Sequence, residues 1–412
     1  MSEAPDAGHL ALDAYTEVRR ADVYKGGHLA AHLTRVPTGI EFAYTDEWLT
    51  HGGIPVASSL PLTAEPRITT GGAVPAYFAG LLPEGRRLSA LRRSVKTSTD
   101  DELSLVLAIG ADAVGDVQVV PAGAEPDRGE SRIQVDDFST VRFRQLLADL
   151  DIHVDTSGLP GVQDKASLTM LNVPVAAAGG SYLLKLNPPE YPHVVENEHL
   201  FIGAARRSGL AVVDADVVRD ADDEAGLVVR RFDRIRRTDG DDKALAVEDG
   251  CQVLDLHPEA KYRIPTERLL GRLSALCEAP VPAARILLAQ VVFAYVSGNG
   301  DAHAKNFSIV QDAHGRWMPS PAYDVPTTLP YGDTTLALSI EGKRDGNVSR
   351  RRFVALGQSL GLPERAVTRL LDQIASSVDE WIDRVDDLPF DAGRLTKLKK
   401  TVRQRQRLIS AR

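Results

Sequence analysis

Cysteine is almost absent from this sequence, with Cys251 and Cys277 the two thiols in 412 residues. Two cysteines cannot build a disulfide framework, and neither sits in metal-ligand spacing, so the economical expectation is a reducing compartment and no structural zinc. Long hydrophobic runs are scarce as well. The longest, Leu287 to Val296, is interrupted by Gln290 and falls short of the roughly 20 residues a membrane-spanning helix needs. The opening MSEAPDAGHLALDAY lacks the basic start and apolar stretch of a secretion signal. A cytoplasmic protein without membrane attachment is expected. Positive charge is also in deficit: 48 Lys and Arg against 57 Asp and Glu give -9, a field that opposes broad nucleic-acid binding. Internal repeats and low-complexity segments are missing too, which removes solenoids and disordered scaffolds from consideration.

What is present is an ordinary globular composition, 43% apolar and 25% charged, on a chain too long for one hydrophobic core. Residues 1–14 read as a flexible tail. In 15–125, the β-prone pieces ADVY, HLAAHLT and IEFAY alternate with turn signals, and DAVGDVQVVP reads as a returning strand. AVPAYFAGLLPEGRRLSALRRSV and DELSLVLAIG carry helical apolar spacing between them, which makes this a small α+β unit. PAGAEPDRGE, Pro121 to Glu130, is the candidate linker. In 136–250, ASLTML, SYLLKL and AGLVVRRFD read as strands, and VVENEHLFIGAARRSG reads as a helix stopped by Gly209. Residues 251–412 read as mostly helical, with one hairpin in NFSIVQDAHGRWMPSPAYD. The fold class expected is therefore α+β: a small α+β subdomain, then a two-lobed domain whose second lobe is helical. The basic tail from Arg394, with Lys397, Lys399, Lys400, Arg403, Arg405 and Arg407, is a candidate nucleic-acid contact. A terminal helix with a solvated basic face favoured by the helix dipole is the preferred account.

The informative segment is Tyr295 to Asp324. An apolar helix, about Pro282 to Ser297, stops at Gly298 and Gly300, and the polar run Asp301-Ala302-His303-Ala304-Lys305-Asn306 follows before a strand. Phosphoryl transfer needs a carboxylate to take the proton of the attacking hydroxyl, an amide oxygen on Mg²⁺ and a second carboxylate on the metal. Asp301, Asn306 and Asp324 supply those groups in the order in which protein kinases place them. His303 is read as a group that orders the loop, and Lys305 as one that neutralises the transferring phosphate. The competing account is an ordinary polar turn, since Asp, Asn and Gly all favour such positions.

Upstream, Lys185 ends the strand SYLLK, and the following helix carries Glu196 and Glu198, the arrangement of a phosphate-binding lysine oriented by a carboxylate. Phe232, in RRFDR, lies where a connection between lobes would pass the adenine, although a core phenylalanine reads the same way. Thr156 to Lys165, TSGLPGVQDK, is a Gly-rich turn whose N–H groups can cradle phosphate, with Lys165 adding charge; it matches neither Walker A nor G-x-G-x-x-G.

Taken in order, SLPL (Ser59 to Leu62), FAGLLPEG (Phe78 to Gly85), IGADAVGDVQVVP (Ile109 to Pro121), SGLPGVQDK, LLK with ENE, RRFDR, EDGCQ (Glu248 to Gln252), NGDAHAKNFS and PAYDVP resemble the HipA-type serine/threonine kinases, toxins of toxin-antitoxin pairs. The resemblance covers nearly the whole chain from about residue 20. It implies a HipA-like N-terminal subdomain at 15–125 and a kinase domain at 136–412, similar to protein and phosphoinositide kinases, divided into an ATP-binding lobe (136–250) and a helical catalytic lobe (251–412). It implies ATP and Mg²⁺ as cofactors, and Asp301 as catalytic base. Asn306 and Asp324 then hold metal, Lys185 binds phosphate, and Ser157, Gly161, Gln163 and Lys165 form the phosphate loop. It further implies a protein hydroxyl as acceptor, on a translation component such as an aminoacyl-tRNA synthetase, and a helix-turn-helix antitoxin as partner, with DNA reached only through that antitoxin. Family members autophosphorylate a serine in the loop; counting back from Lys165, Gly158 occupies that place and Ser157 lies one residue earlier. Two other functions stay open at this point. One is a nucleotide-holding corepressor of low activity that docks on a DNA-binding antitoxin. The other is a metal-dependent hydrolase built on Asp301, His303 and Asp324.

Overall fold

The computed structural model describes residues 11–126, 135–149, 170–177, 180–236 and 242–410. These divide into two compact units, one holding the described residues up to 126 together with 148–149 and 244–258, the other those of 135–147, 170–243 and 259–410. The class is α+β, as the alternation of short strands and amphipathic helices requires.

The first unit is built on a five-stranded antiparallel sheet: β1 (Arg20–Lys25), β2 (His28–Val36), β3 (Gly39–Tyr44), β4 (Arg67–Thr70) and β5 (Val117–Pro121), in the order β4-β3-β2-β1-β5. Its first turn is set by Gly26 and Gly27, both at positive φ, the mirror-image turn that matches strand twist. A short α1 (Asp46–Thr50) is capped by Thr45, and three further helices follow, α2 (Ala76–Leu81), α3 (Gly85–Val95) and α4 (Glu102–Ile109). Val23, Leu33, Ile40 and Phe42 from the sheet share one core with Tyr77, Phe78, Leu103 and Val106 from the helices. The strand expected at the end of this region is thus β5, returning beside β1.

The second unit opens with α5 (Phe143–Asp149) and an antiparallel sheet of β6 (Leu171–Ala177), β7 (Gly180–Leu186), β8 (Ala215–Arg219) and β9 (Ala225–Arg230), ordered β6-β7-β9-β8. Helix α6 (Val194–Arg207) joins β7 to β8, stopping just before Gly209 at φ +85°. The strand seen is Leu171–Ala177, whereas most of ASLTML lies outside the described residues. Short strands β10 (Arg234–Arg236) and β11 (Asp242–Ala244) follow.

Residues 244–258 belong to the first unit and hold β12 (Val247–Asp249) and α7 (Gly250–Val253). The EDGCQ segment is a structural clasp there. Glu248, 2% exposed, accepts from the N–H and hydroxyl of Ser58 at 2.8 and 2.6 Å. Asp249 and Gln252 form a reciprocal capping box on α7, and the Gln252 amide donates to the Tyr77 carbonyl at 2.9 Å.

The helical part of the second unit comprises α8 (Thr266–Leu276), α9 (Pro280–Ser297), the hairpin β13 (Ser308–Gln311) and β14 (Trp317–Pro319), α10 (Arg350–Ser359), α11 (Glu364–Trp381) and α12 (Ala392–Ser410). Helix α9 begins two residues before the expected Pro282, because proline is tolerated in the first turn, where its missing N–H has no helical partner. Its length and apolarity would suffice to cross a membrane, but 67% of it is buried within the fold. It is the core helix of this unit, with Leu287, Leu288, Val292 and Val296 inaccessible. The basic tail is α12. Arg405, 2% exposed, donates to the carbonyls of Tyr295 and Thr334, each at 2.7 Å, and stacks on the Tyr295 ring at 5.1 Å. Lys399 pairs with Asp386, and Arg403 with Asp379. The helix is thus anchored by its charges to its own unit.

Candidate active site

The polar loop is aimed by the end of α9. Gly298 takes φ +80°, the left-handed cap, and a Cβ there would stand 2.4 Å from Leu329. Two residues on, the Gly300 N–H donates to Thr328 Oγ1 at 3.0 Å, and a Cβ would stand 2.6 Å from that oxygen. Both glycines are demanded by close approach to the segment 327–329. Between them sits Asn299, 3% exposed, whose two amide atoms serve the two acids: Oδ1 accepts the Asp301 N–H and Nδ2 donates to the Asp324 carbonyl, both at 3.0 Å.

Asp301 is bracketed further on its backbone. Its carbonyl accepts the His303 N–H at 2.7 Å and the Asn306 amide at 3.1 Å. The Asp-x-x-x-x-Asn spacing thus has a local cause, since Asn306 closes the loop onto Asp301. Its carboxylate Oδ1 accepts the phenol of Tyr262 at 2.6 Å. His303 is buried, and its ring meets Tyr262 edge-on at 5.2 Å. Lys305 is half-buried, and its carbonyl accepts the Tyr323 hydroxyl at 2.7 Å.

Lys185, near the end of β7, is 4% exposed and donates to both oxygens of Glu198 on α6, at 2.8 and 3.1 Å, and to Asp324 Oδ1. Of the two helix carboxylates expected to orient it, Glu198 is the partner. Glu198 is fully buried, whereas the Asp324 side chain keeps 42% exposure. Burial pulls the lysine's pKa down, but the Asp324 and Glu198 carboxylates outweigh it and hold the ammonium above its usual range. Burial pushes Glu198 up, with Lys185 pulling against it. Asp324 itself adopts φ +51°. The chain beyond it is fastened to α6 by Asn197, which exchanges both amide hydrogen bonds with the Thr327 backbone, at 2.8 and 3.0 Å.

Phe232 stacks on Tyr323 at 5.6 Å and 29°. The aromatic expected near the nucleotide is therefore tied, through Tyr323, to the loop carrying Lys305. The structure brings Lys185, Glu198 and Asp324 into one bonded cluster. It brings Asp301, His303 and Asn306 into another, and Asn299 bridges the two. Ser157, Gly161, Gln163 and Lys165 lie outside the described residues. Sequence reasoning missed Tyr262, Asn299 and Asn197. Asn299 stands beside the glycines and could have been suspected, while nothing in the spacing singles out Tyr262, 39 residues before Asp301.

Comparison with known proteins identifies the family. Residues 21–120 match the HipA N-terminal domain family and residues 157–382 the HipA-like C-terminal domain family. A putative kinase, Y4mE, of Sinorhizobium fredii is 30% identical over 95% of this chain and 99% of its own length. The serine/threonine-protein kinase toxin HipA of Shewanella oneidensis is 28% identical over 88% of each chain. The solved complex of the Shewanella oneidensis HipA, HipB and operator DNA superposes with a TM-score of 0.74 at 23% identity, covering 94% of this chain and 96% of that one, and so shares its fold. With two such domain families laid end to end and a relative matched over almost its full length, this chain belongs to the HipA-type kinase family.

Proposed function

We propose that this protein is an ATP- and Mg²⁺-dependent serine/threonine kinase, the toxin half of a HipBA-like pair, which transfers the γ-phosphate of ATP to a protein hydroxyl. The observation that carries the reading is Lys185, a buried ammonium held between a buried carboxylate and a half-exposed one, next to a loop carrying a second, separately fixed aspartate. A purely structural ion pair would not need Asp324 at the surface of the cluster.

In this reading Asp301 takes the proton of the acceptor hydroxyl, and Lys185, oriented by Glu198, binds the ATP phosphates. Asn306 and Asp324 fit Mg²⁺. Both offer hard oxygen donors; Asn306 uses its N–H on the Asp301 carbonyl, so Oδ1 is the atom it presents. Among the described residues no three His, Cys, Asp or Glu gather to hold a metal unaided, whereas Mg²⁺ needs only one or two protein ligands beside ATP phosphates. When bound, the ion neutralises the phosphate oxygens. Phe232 packs by the adenine, His303 keeps the loop in shape and Lys305 offsets charge on the transferring group. Ser157, Gly161, Gln163 and Lys165 cradle the phosphates. The Shewanella relative assembles with HipB and operator DNA; by analogy the partner here is a helix-turn-helix antitoxin that carries the contact with DNA, and the acceptor is a translation component of the aminoacyl-tRNA synthetase kind. The test is to incubate the wild type and Asp301→Asn with γ-labelled ATP, Mg²⁺ and a clarified cell lysate. Protein labelling that depends on Asp301 supports the reading, and nucleotide binding without labelling leaves the corepressor.

A further inference from the structure

A carboxylate that must take a proton has to present one oxygen at hydrogen-bond distance from the incoming hydroxyl, yet the terminal torsion of aspartate is soft and its two oxygens exchange readily. The backbone of Asp301 is fixed by Asn299, His303 and Asn306, but none of those three bonds reaches its side chain. Tyr262 does, through its phenol on Oδ1 at 2.6 Å.

The phenol is itself held from several sides. The Lys261 carbonyl accepts the Ala304 N–H at 3.1 Å, so the segment carrying Tyr262 is pinned to the loop it serves. The Tyr262 carbonyl accepts the Arg344 guanidinium. The ring rests edge-on against buried His303 at 5.2 Å and 78°, and the Lys261 ammonium stands 5.2 Å from its centroid. A ring clamped in this way cannot follow the carboxylate; the carboxylate must follow the ring.

We infer that Tyr262 is a positioning residue for phosphoryl transfer, whose hydroxyl, by engaging Oδ1 of Asp301, sets the rotation at which that carboxylate meets the acceptor hydroxyl. The inference rests on the kinase reading above. In the step it serves, the acceptor O–H proton passes to the Asp301 carboxylate as the new O–P bond forms and the bond from the γ-phosphorus to the bridging oxygen of the departing ADP breaks. Tyr262 keeps its own proton throughout, since a phenol donates a hydrogen bond at neutral pH.

The test is Tyr262→Phe in the full-length protein, which keeps the ring against His303 and removes only the hydroxyl. Label from γ-³²P-ATP with Mg²⁺ is followed into the proteins of a clarified lysate at several ATP concentrations, with Asp301→Asn and the wild type alongside. The expected result is a kcat lower by about 10–100-fold, the scale of a misplaced reacting group. KM for ATP and the melting temperature should stay near those of wild type. A kcat within twofold of wild type overturns the inference, and so does a loss of rate that comes with an equal rise in KM or a collapsed melting temperature, because either describes a structural residue. The kinase reading fails separately: wild type that labels no more than Asp301→Asn sinks it, and this inference with it. Wild type far above Asp301→Asn with Tyr262→Phe unchanged removes Tyr262 alone.

Discussion

Replacing Lys185 with methionine keeps the alkyl stem and deletes the ammonium, and from sequence alone that change should cost catalysis more than stability. The structure alters the expectation. Glu198 is 0% exposed and has Lys185 at 2.8 and 3.1 Å, so the variant leaves a carboxylate in the interior without its counter-charge. Breaking a buried pair on one side costs about 3–5 kcal/mol. If the second unit melts as one body, that is a fall of roughly 6–20 °C in melting temperature. The Asp324 side chain, 42% exposed, is solvated when released and adds little. The loss should depend on pH with a definite sign. Burial already holds the Glu198 carboxyl above its ordinary range, and without Lys185 its folded-state pKa rises further, so the folded variant keeps the proton to higher pH; its deficit relative to wild type is then absent at low pH and grows as pH rises through that interval. The deficit should therefore be small near pH 5 and large at pH 8. Adding Glu198→Leu removes the stranded carboxylate, and the double variant should recover to within about 1 kcal/mol of wild type while still transferring no phosphate. Differential scanning calorimetry of the three proteins across pH decides it. A single variant that melts within 2 °C of wild type at pH 8, or a double variant no more stable than the single one, would refute the argument.

Three other substitutions test separate parts of the site and fold. Asp301→Asn should keep the fold and nucleotide binding and lose phosphoryl transfer by at least about 100-fold, measured as label reaching protein; transfer within tenfold of wild type rejects Asp301 as the base. Asn306→Ala and Asp324→Ala should each weaken ATP binding in the presence of Mg²⁺ and leave Mg²⁺-free binding nearly unchanged, a difference that titration calorimetry reads directly; equal Mg²⁺ dependence in both variants and wild type counts against the metal assignment. Arg405→Leu should destabilise the protein by about 2–4 kcal/mol, because it leaves the carbonyls of Tyr295 and Thr334 without their donor in the interior; a melting temperature equal to that of wild type would show that the two bonds are not needed.

Most of the helices and strands were legible because their periodicity was. The apolar run of α9 and its glycine stop announced both the helix and the loop it presents, and the Asp301, Asn306 and Asp324 trio could be picked out from residue type and spacing. Lys185 stood out as a charge in an apolar strand, and choosing between Glu196 and Glu198 required the helix to be laid against the sheet. Contacts that join distant segments were not legible. Tyr262 reaches Asp301 only because α8 and α9 fold back between them. EDGCQ enters the sequence reading only as part of the family resemblance, and its Glu248, Asp249 and Gln252 hold Ser58, α7 and Tyr77 in the first unit. Its polar letters serve capping and burial, which leave the same trace in a sequence as chemistry does.

The left-handed backbone at Asp324 has an implication for how this protein can change. An L-residue with a side chain is held there at a cost of about 1–2 kcal/mol relative to glycine, less for aspartate than for most. Any drift governed by thermal robustness alone would favour glycine or asparagine at this position, removing the strain and the carboxylate together. With Asp324 holding metal as proposed above, robustness and function pull in opposite directions at one residue. A laboratory selection that rewards heat resistance without asking for activity should find its way there early, so the position can serve as an internal marker of whether such a selection has preserved the enzyme or only its shape.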